Sequence, residues 1–253
     1  MESTYLDDSL KIQHGKTYYY YRNGQVESEG DYFENKRVGL WKRYGRNGKL
    51  IDSARYKSTG YPYYKAYRWD TAGHLIFKGE YDIKGSGEGY EIEYYPKGTV
   101  SSYGKYTIGY LKDSIWTYYY ENGKISAIEV FDSGRFVKVE CYTPEGNVQE
   151  DCDTGFVYPE YGYDPAYFLY NEFRYHPLLT AFRERNLKGK IEIITEMTVH
   201  RNGKISAVIE SETYPEIKEL IPIMMQALPT WKPAYYKNRP IEWVSKEVFP
   251  FDF

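Results

Sequence analysis

Residues 41–56 read WKRYGRNGKLIDSARY. Trp41-Lys-Arg-Tyr44 alternates in polarity toward Asn47-Gly48, and Lys49-Leu50 to Tyr56 runs away from it. Asn-Gly between two alternating segments is the strongest short-range signal for a β-hairpin, because both residues tolerate positive φ. The phrase is not unique. YYRNGQV stands at 20–26 and YYENGKI at 119–125, and a glycine marks the same place at Gly24, Gly48, Gly73, Gly98, Gly123 and Gly146, about every 24 residues. Self-similarity at a fixed period is the signature of a repeat architecture.

Working outward, residues 15–150 parse as six hairpins. Three turns lack Asn-Gly: Thr71-Ala72-Gly73, Pro96-Lys97-Gly98 and Pro144-Glu145-Gly146. These suit slightly longer loops with glycine in the left-handed position. Second turn regions lie between hairpins, at Glu34-Asn35-Lys36-Arg37 and Lys84-Gly85-Ser86-Gly87. One such hairpin cannot bury its own apolar face, so the reading is a stack of antiparallel hairpins forming one β-sheet. Its end strands need covering. The chain holds 32 Tyr, 23 of them before residue 151. Tyrosine suits a thin sheet, since each ring buries its body and keeps its hydroxyl near water.

After about Cys152 the period stops, which divides the chain into a repeat domain over 1–152 and a second domain over 153–253. Residues 153–163 read as a linker or irregular strand. Asp164 and Pro165 start a helix running to about Tyr175, and Pro177 a second helical stretch to about Asn186. Residues 190–199 are extended, Asn202-Gly203 is a turn, and 204–211 is the return strand. Ile217, Leu220, Ile221, Met224 and Met225 fall at helical spacing from Pro215 to about Ala227, with Pro222 expected to kink or split that helix. Ile241 to Phe249 is a final strand. Helix, strand, strand, helix, strand makes a small α+β domain with an antiparallel sheet.

Net charge is −3 over 253 residues, and neither half is basic, which leaves nucleic-acid binding without its usual electrostatic footprint. No apolar run approaches membrane-spanning length. The start, MESTYLDDSL, lacks the basic and apolar regions of a secretory signal, so the chain is cytoplasmic unless an export signal is missing from it. His14, His74, His176 and His200 are isolated from one another and from both cysteines, so no metal site is expected. Gly85-Ser-Gly87-Glu-Gly89 lacks the remainder of a phosphate loop and reads as a turn. Glu91 and Glu93 share one strand face; paired carboxylates can do acid–base work, but a solvated face opposite the tyrosines is the expectation here. No nucleophile motif occurs and no cofactor is expected. Cys141 and Cys152 flank the turn at Gly146, so a hairpin there would bring them near each other, as a disulfide or as two free thiols.

The repeat unit resembles the bacterial variant of the MORN repeat, G-x-W-x-x-Y-x-x-[ND]-G-x-[ILV]. Gly39-Leu-Trp41-Lys-Arg-Tyr44-Gly-Arg-Asn47-Gly48-Lys-Leu50 fits it throughout, and Ile115 to Ile125 fits without the leading glycine. The third and fourth copies diverge more. This resemblance implies scaffolding or interaction, with an antitoxin label on some relatives. The last ~90 residues look like the TonB C-terminal domain, on Tyr175-His176-Pro177, Gly189-Lys-Ile191-Glu-Ile193, Asn202-Gly203-Lys-Ile205, Pro229-Thr-Trp231-Lys-Pro233 and Phe249-Pro250-Phe251. The His between Tyr175 and Pro177 departs from that pattern, as does the lack of a membrane anchor and a Pro-rich spacer. That resemblance implies capture of an extended peptide from an outer-membrane transporter on the sheet edge beside the final strand. Here the strand is Glu242-Trp243-Val244-Ser245-Lys246-Glu247-Val248. Together the two resemblances imply a non-enzymatic, transport-related binding protein of the periplasm or cell envelope, with a cytoplasmic antitoxin-like or scaffolding protein as the alternative.

Overall fold

The computed structural model describes residues 2–5, 12–150, 152, 154–162, 168, 171–173, 175–177, 180, 190–211 and 220–252. The chain separates into two compact units, Met1–Cys152 and Asp153–Phe253.

The first unit is a 13-stranded antiparallel sheet whose strand order is the chain order. Strand β1 (Glu2–Tyr5) pairs with β2 (Gln13–Tyr20). Six hairpins follow. They are β2 with β3 (Val26–Phe33), β4 (Lys36–Tyr44) with β5 (Leu50–Tyr56), β6 (Tyr64–Trp69) with β7 (Leu75–Tyr81), and β8 (Gly89–Tyr94) with β9 (Val100–Thr107). The last two are β10 (Leu111–Tyr119) with β11 (Ile125–Asp132), and β12 (Arg135–Tyr142) with β13 (Val148–Gln149).

All six hairpin turns are built alike, which corrects the expectation of two turn classes. Gly48 N–H donates to Gly45 O at 2.8 Å, Gly45 N–H to Lys49 O at 2.8 Å, and corresponding pairs close at Gly24, Gly73, Gly98, Gly123 and Gly146. Only the glycine takes positive φ; Asn23, Asn47 and Asn122 do not. The pairing slips by one residue beside most of these turns, as between Arg43 and Tyr44, which is a glycine bulge. Asparagine is there for its side chain. Asn47 Oδ1 accepts from Lys49 N at 3.1 Å, while Nδ2 donates to Thr71 O at 3.3 Å in the next turn. Asn122 repeats both bonds, to Lys124 N and Pro144 O. Tight two-residue turns with both residues at positive φ occur instead between hairpins, at Glu34-Asn35 and Ser133-Gly134. Tyrosines stitch successive repeats: Tyr21 Oη donates to Tyr44 O, Tyr95 Oη to Tyr119 O and Tyr120 Oη to Tyr142 O, at 2.6–2.8 Å.

In the second unit, β15 (Lys190–Val199) lies between β16 (Ile205–Ser211) and β19 (Trp243–Asp252). A second antiparallel sheet joins β14 (Phe156–Val157), β17 (Ala234–Tyr236) and β18 (Arg239–Ile241). Of the two readings of 153–163, linker or irregular strand, the short strand β14 matches the second. Helix α1 runs Leu220–Ala227 continuously through Pro222. The rest of that expected helix, and most of those expected over 164–175 and 177–186, lie outside the described residues; Phe168, 171–173, Pro177 and Thr180 are helical. Met197, Val199 and Trp231 form the buried centre, with Ile205 and Trp243 packed against it.

Candidate functional site

One face of the repeat sheet carries Trp41, Trp116 and the buried carboxylates. In the second copy, Trp41 on β4 covers Gly30 on β3, where an added Cβ would lie 2.2 Å from the indole. The indole Nε1 donates to Asp31 O at 3.0 Å, Tyr32 meets the ring edge-on at 5.0 Å, and the Arg37 guanidinium lies over it at 4.4 Å. The fifth copy repeats the set. Trp116 covers Gly104, donates to Lys105 O at 3.0 Å, meets Tyr106 edge-on at 5.0 Å, and carries Lys112 Nζ over its ring at 4.3 Å. Each ring buries a backbone segment that a side chain would have pushed away.

Two carboxylates are buried on this same face. Glu91 is 8% exposed and Glu129 2%. Tyr81 Oη donates to Glu91 Oε1 at 2.5 Å, and Tyr110 Oη donates to the same oxygen. Tyr118 Oη donates to Glu129 Oε2 at 2.9 Å, and Lys112 stands 3.8 Å from that oxygen. Placing Glu91 on a solvated face is therefore corrected: phenol donors replace water around it. Glu93, on the same face, accepts from Ser102 Oγ at 2.9 Å. Burial, then the Glu91 charge, pushes the phenols of Tyr81 and Tyr106 well above the ordinary tyrosine range.

The third copy differs. Ala66 stands where the second and fifth copies have Trp41 and Trp116, and Ala54 where they have glycine beneath the ring. A partly open pocket of about 260 Å³ lies there, lined by Ala54, Tyr56, Ala66, Arg68, Phe77 and Tyr81 among others. Tyr64, at the position of Gly39, holds a left-handed φ of 67°. Sequence reasoning missed this site. A second small-residue period, six positions after each of the first four turn glycines (Gly30, Ala54, Gly79, Gly104), was the available signal.

Cys141 and Cys152 are joined as a disulfide with Cα atoms 5.5 Å apart. Cys141 is fully buried in the cluster of Trp116, Tyr118 and Ala127.

The strand expected to bind peptide begins one residue later than the sequence reading had it. Glu242 lies between β18 and β19, its Oε1 3.3 Å from His200 Nδ1, because β18 ends at Ile241 and the chain changes sheets there. Trp243 to Val248 belong to β19, paired with β15 from Val199↔Trp243 to Ile194↔Val248. Trp243 packs against Phe156 and Tyr158, with ring centres 5.3 Å apart in each pair, while Val244 is exposed. Trp231 is buried.

Among known families, residues 13–35, 37–58 and 112–132 match the MORN repeat variant. The chain has no match among curated proteins. No helix among the described residues is long and apolar enough to cross a membrane.

Proposed function

We propose that this chain is a non-enzymatic binding protein of the cell envelope whose second unit captures an extended segment of a partner by strand addition to β19. The observation that carries the reading is topological. β19 is an outer strand of its sheet and, among the described residues, pairs on one side only, with β15. A ten-residue edge offers a row of main-chain donors and acceptors to an incoming strand. Exposed Val244 and Lys246 alternate with half-buried Trp243 and Ser245, so one face of the edge is presented to solvent. The resemblance to the TonB C-terminal domain supports an outer-membrane transporter segment as the partner. The Cys141–Cys152 pair supports an oxidising compartment such as the periplasm.

Amide hydrogen exchange of the full chain tests this, using synthetic peptides that copy periplasm-facing segments of outer-membrane transporters. New protection is expected over Trp243–Val248. Binding without protection there removes strand addition, and recovery of the native protein in the cytosol with both thiols reduced removes the envelope assignment.

A second reading rests on the three matched repeats: a cytoplasmic scaffolding or antitoxin-like protein that binds through its sheet. It predicts a stable complex with a cytosolic partner that survives a β19 carrying both Val244→Asp and Lys246→Asp.

A further inference from the structure

The third hairpin keeps the frame of the repeat and omits its ring. Ala66 precedes turn glycine Gly73 by seven positions, as Trp41 precedes Gly48 and Trp116 precedes Gly123. In the two filled copies the neighbours of the indole are constant. A small residue lies beneath it on the preceding strand, a tyrosine meets it edge-on, and a cation lies over its face. In the third copy the same frame supplies Ala54 beneath and Tyr56 at the side, eight positions after the turn like Tyr32 and Tyr106. Pro62 replaces the cation of Arg37 and Lys112, but Arg68 stands on the pocket wall, its guanidinium 4.6 Å from the Phe77 ring centre. The carbonyl equivalent to Asp31 O and Lys105 O is Arg55 O, which accepts from Tyr63 N at 2.9 Å, so a guest N–H turns instead to Asp52 on the pocket wall, 3.6 Å from Arg68 Nε.

We propose that this pocket is a receptor for an indole: a tryptophan side chain of a partner polypeptide occupies from outside the place that Trp41 and Trp116 occupy from within. The size fits. A cavity of about 150 Å³ holds benzene, so the 260 Å³ here accommodates a bicyclic ring. So does the chemistry, because aromatic walls and a cation are what a desolvated aromatic ring recognises. The Ala54 methyl stands where the filled copies have glycine, so a guest ring sits about one methyl higher than Trp41 does. The proposal concerns the repeat sheet alone and stands or falls separately from strand addition at β19.

The test uses the full-length chain and N-acetyl-L-tryptophanamide as the probe. Saturable binding is expected, with intermolecular nuclear Overhauser contacts from the indole protons to the methyl groups of Ala54 and Ala66. Ala66→Trp, which fills the slot in cis, and the milder Ala66→Leu are each expected to weaken binding by at least about tenfold. N-acetyl-L-leucinamide is expected not to compete. Absence of saturable binding, or contacts only to other tyrosines of the sheet, overturns the proposal without recourse to any variant. Equal affinity for wild type and a folded Ala66→Leu protein overturns it as well.

Discussion

The second and third hairpins share a backbone and differ in what fills it. In β4–β5, an indole, a tyrosine and an arginine close over Gly30. In β6–β7 the corresponding ring is missing and a pocket stands open. Turn hydrogen bonds and bulge are the same in both, and both turn glycines take positive φ. A repeat therefore conserves its main chain more strictly than its packing, and a copy can give up its ring because the neighbouring copies still hold the sheet.

Truncation breaks the comparison most sharply. Trp41→Ala and Trp116→Ala should each cost about 3–5 kcal/mol in denaturant unfolding, whereas Ala66→Gly should cost about 1 kcal/mol or less. If all three cost the same, the filled and vacant copies are not energetically distinct. Next in size, Gly30→Ala and Gly104→Ala force a methyl into an indole and should cost about 1–3 kcal/mol, while Ala54→Gly leaves every ring in place. Tyr118→Phe removes a donor from buried Glu129 and should cost about 1–2 kcal/mol. Smaller still, Tyr64→Gly should stabilise by about 1 kcal/mol by relieving a left-handed side chain, and Gly39→Ala at the matching site should lose about the same.

The gentlest probe is pH. Burial, then the hydrogen bond to Glu29, pushes the Tyr44 phenol up to about 12. The folded state thus holds this proton more tightly than the unfolded chain, whose tyrosines titrate near about 10. Its contribution is whole below about pH 10 and is lost as pH rises through about 12. Unfolding midpoints measured across that window should fall, and Tyr44→Phe should flatten part of the decline.

The turn glycines were legible because left-handed φ leaves glycine few substitutes, and six of them at one spacing set the hairpins. The role of asparagine was not. Asn47 bonds the next turn through Nδ2, a contact that exists only once repeats are stacked. Glu91 was read as solvated because alternation separates polar from apolar residues and takes no account of phenols arriving from β7 and the β9–β10 connection. The pocket was invisible for a related reason. Ala66 is an ordinary strand residue until it is set beside Trp41 and Trp116. At the other end, Trp231 was noticed as a motif residue and Trp243 as a strand residue, but their packing partners Met197 and Val199 needed β15 in place.

The agreement between strand order and chain order in the first unit bears on how it is made. Every ladder joins sequence neighbours, so no strand waits for a distant partner and loop-closure entropy stays small at each step. The sheet can zip hairpin by hairpin, each new strand docking on an edge already formed. Nascent chains arrested after successive turn glycines should then show protease protection that grows one hairpin at a time. Closure of Cys141 onto Cys152 would mark the last of those steps.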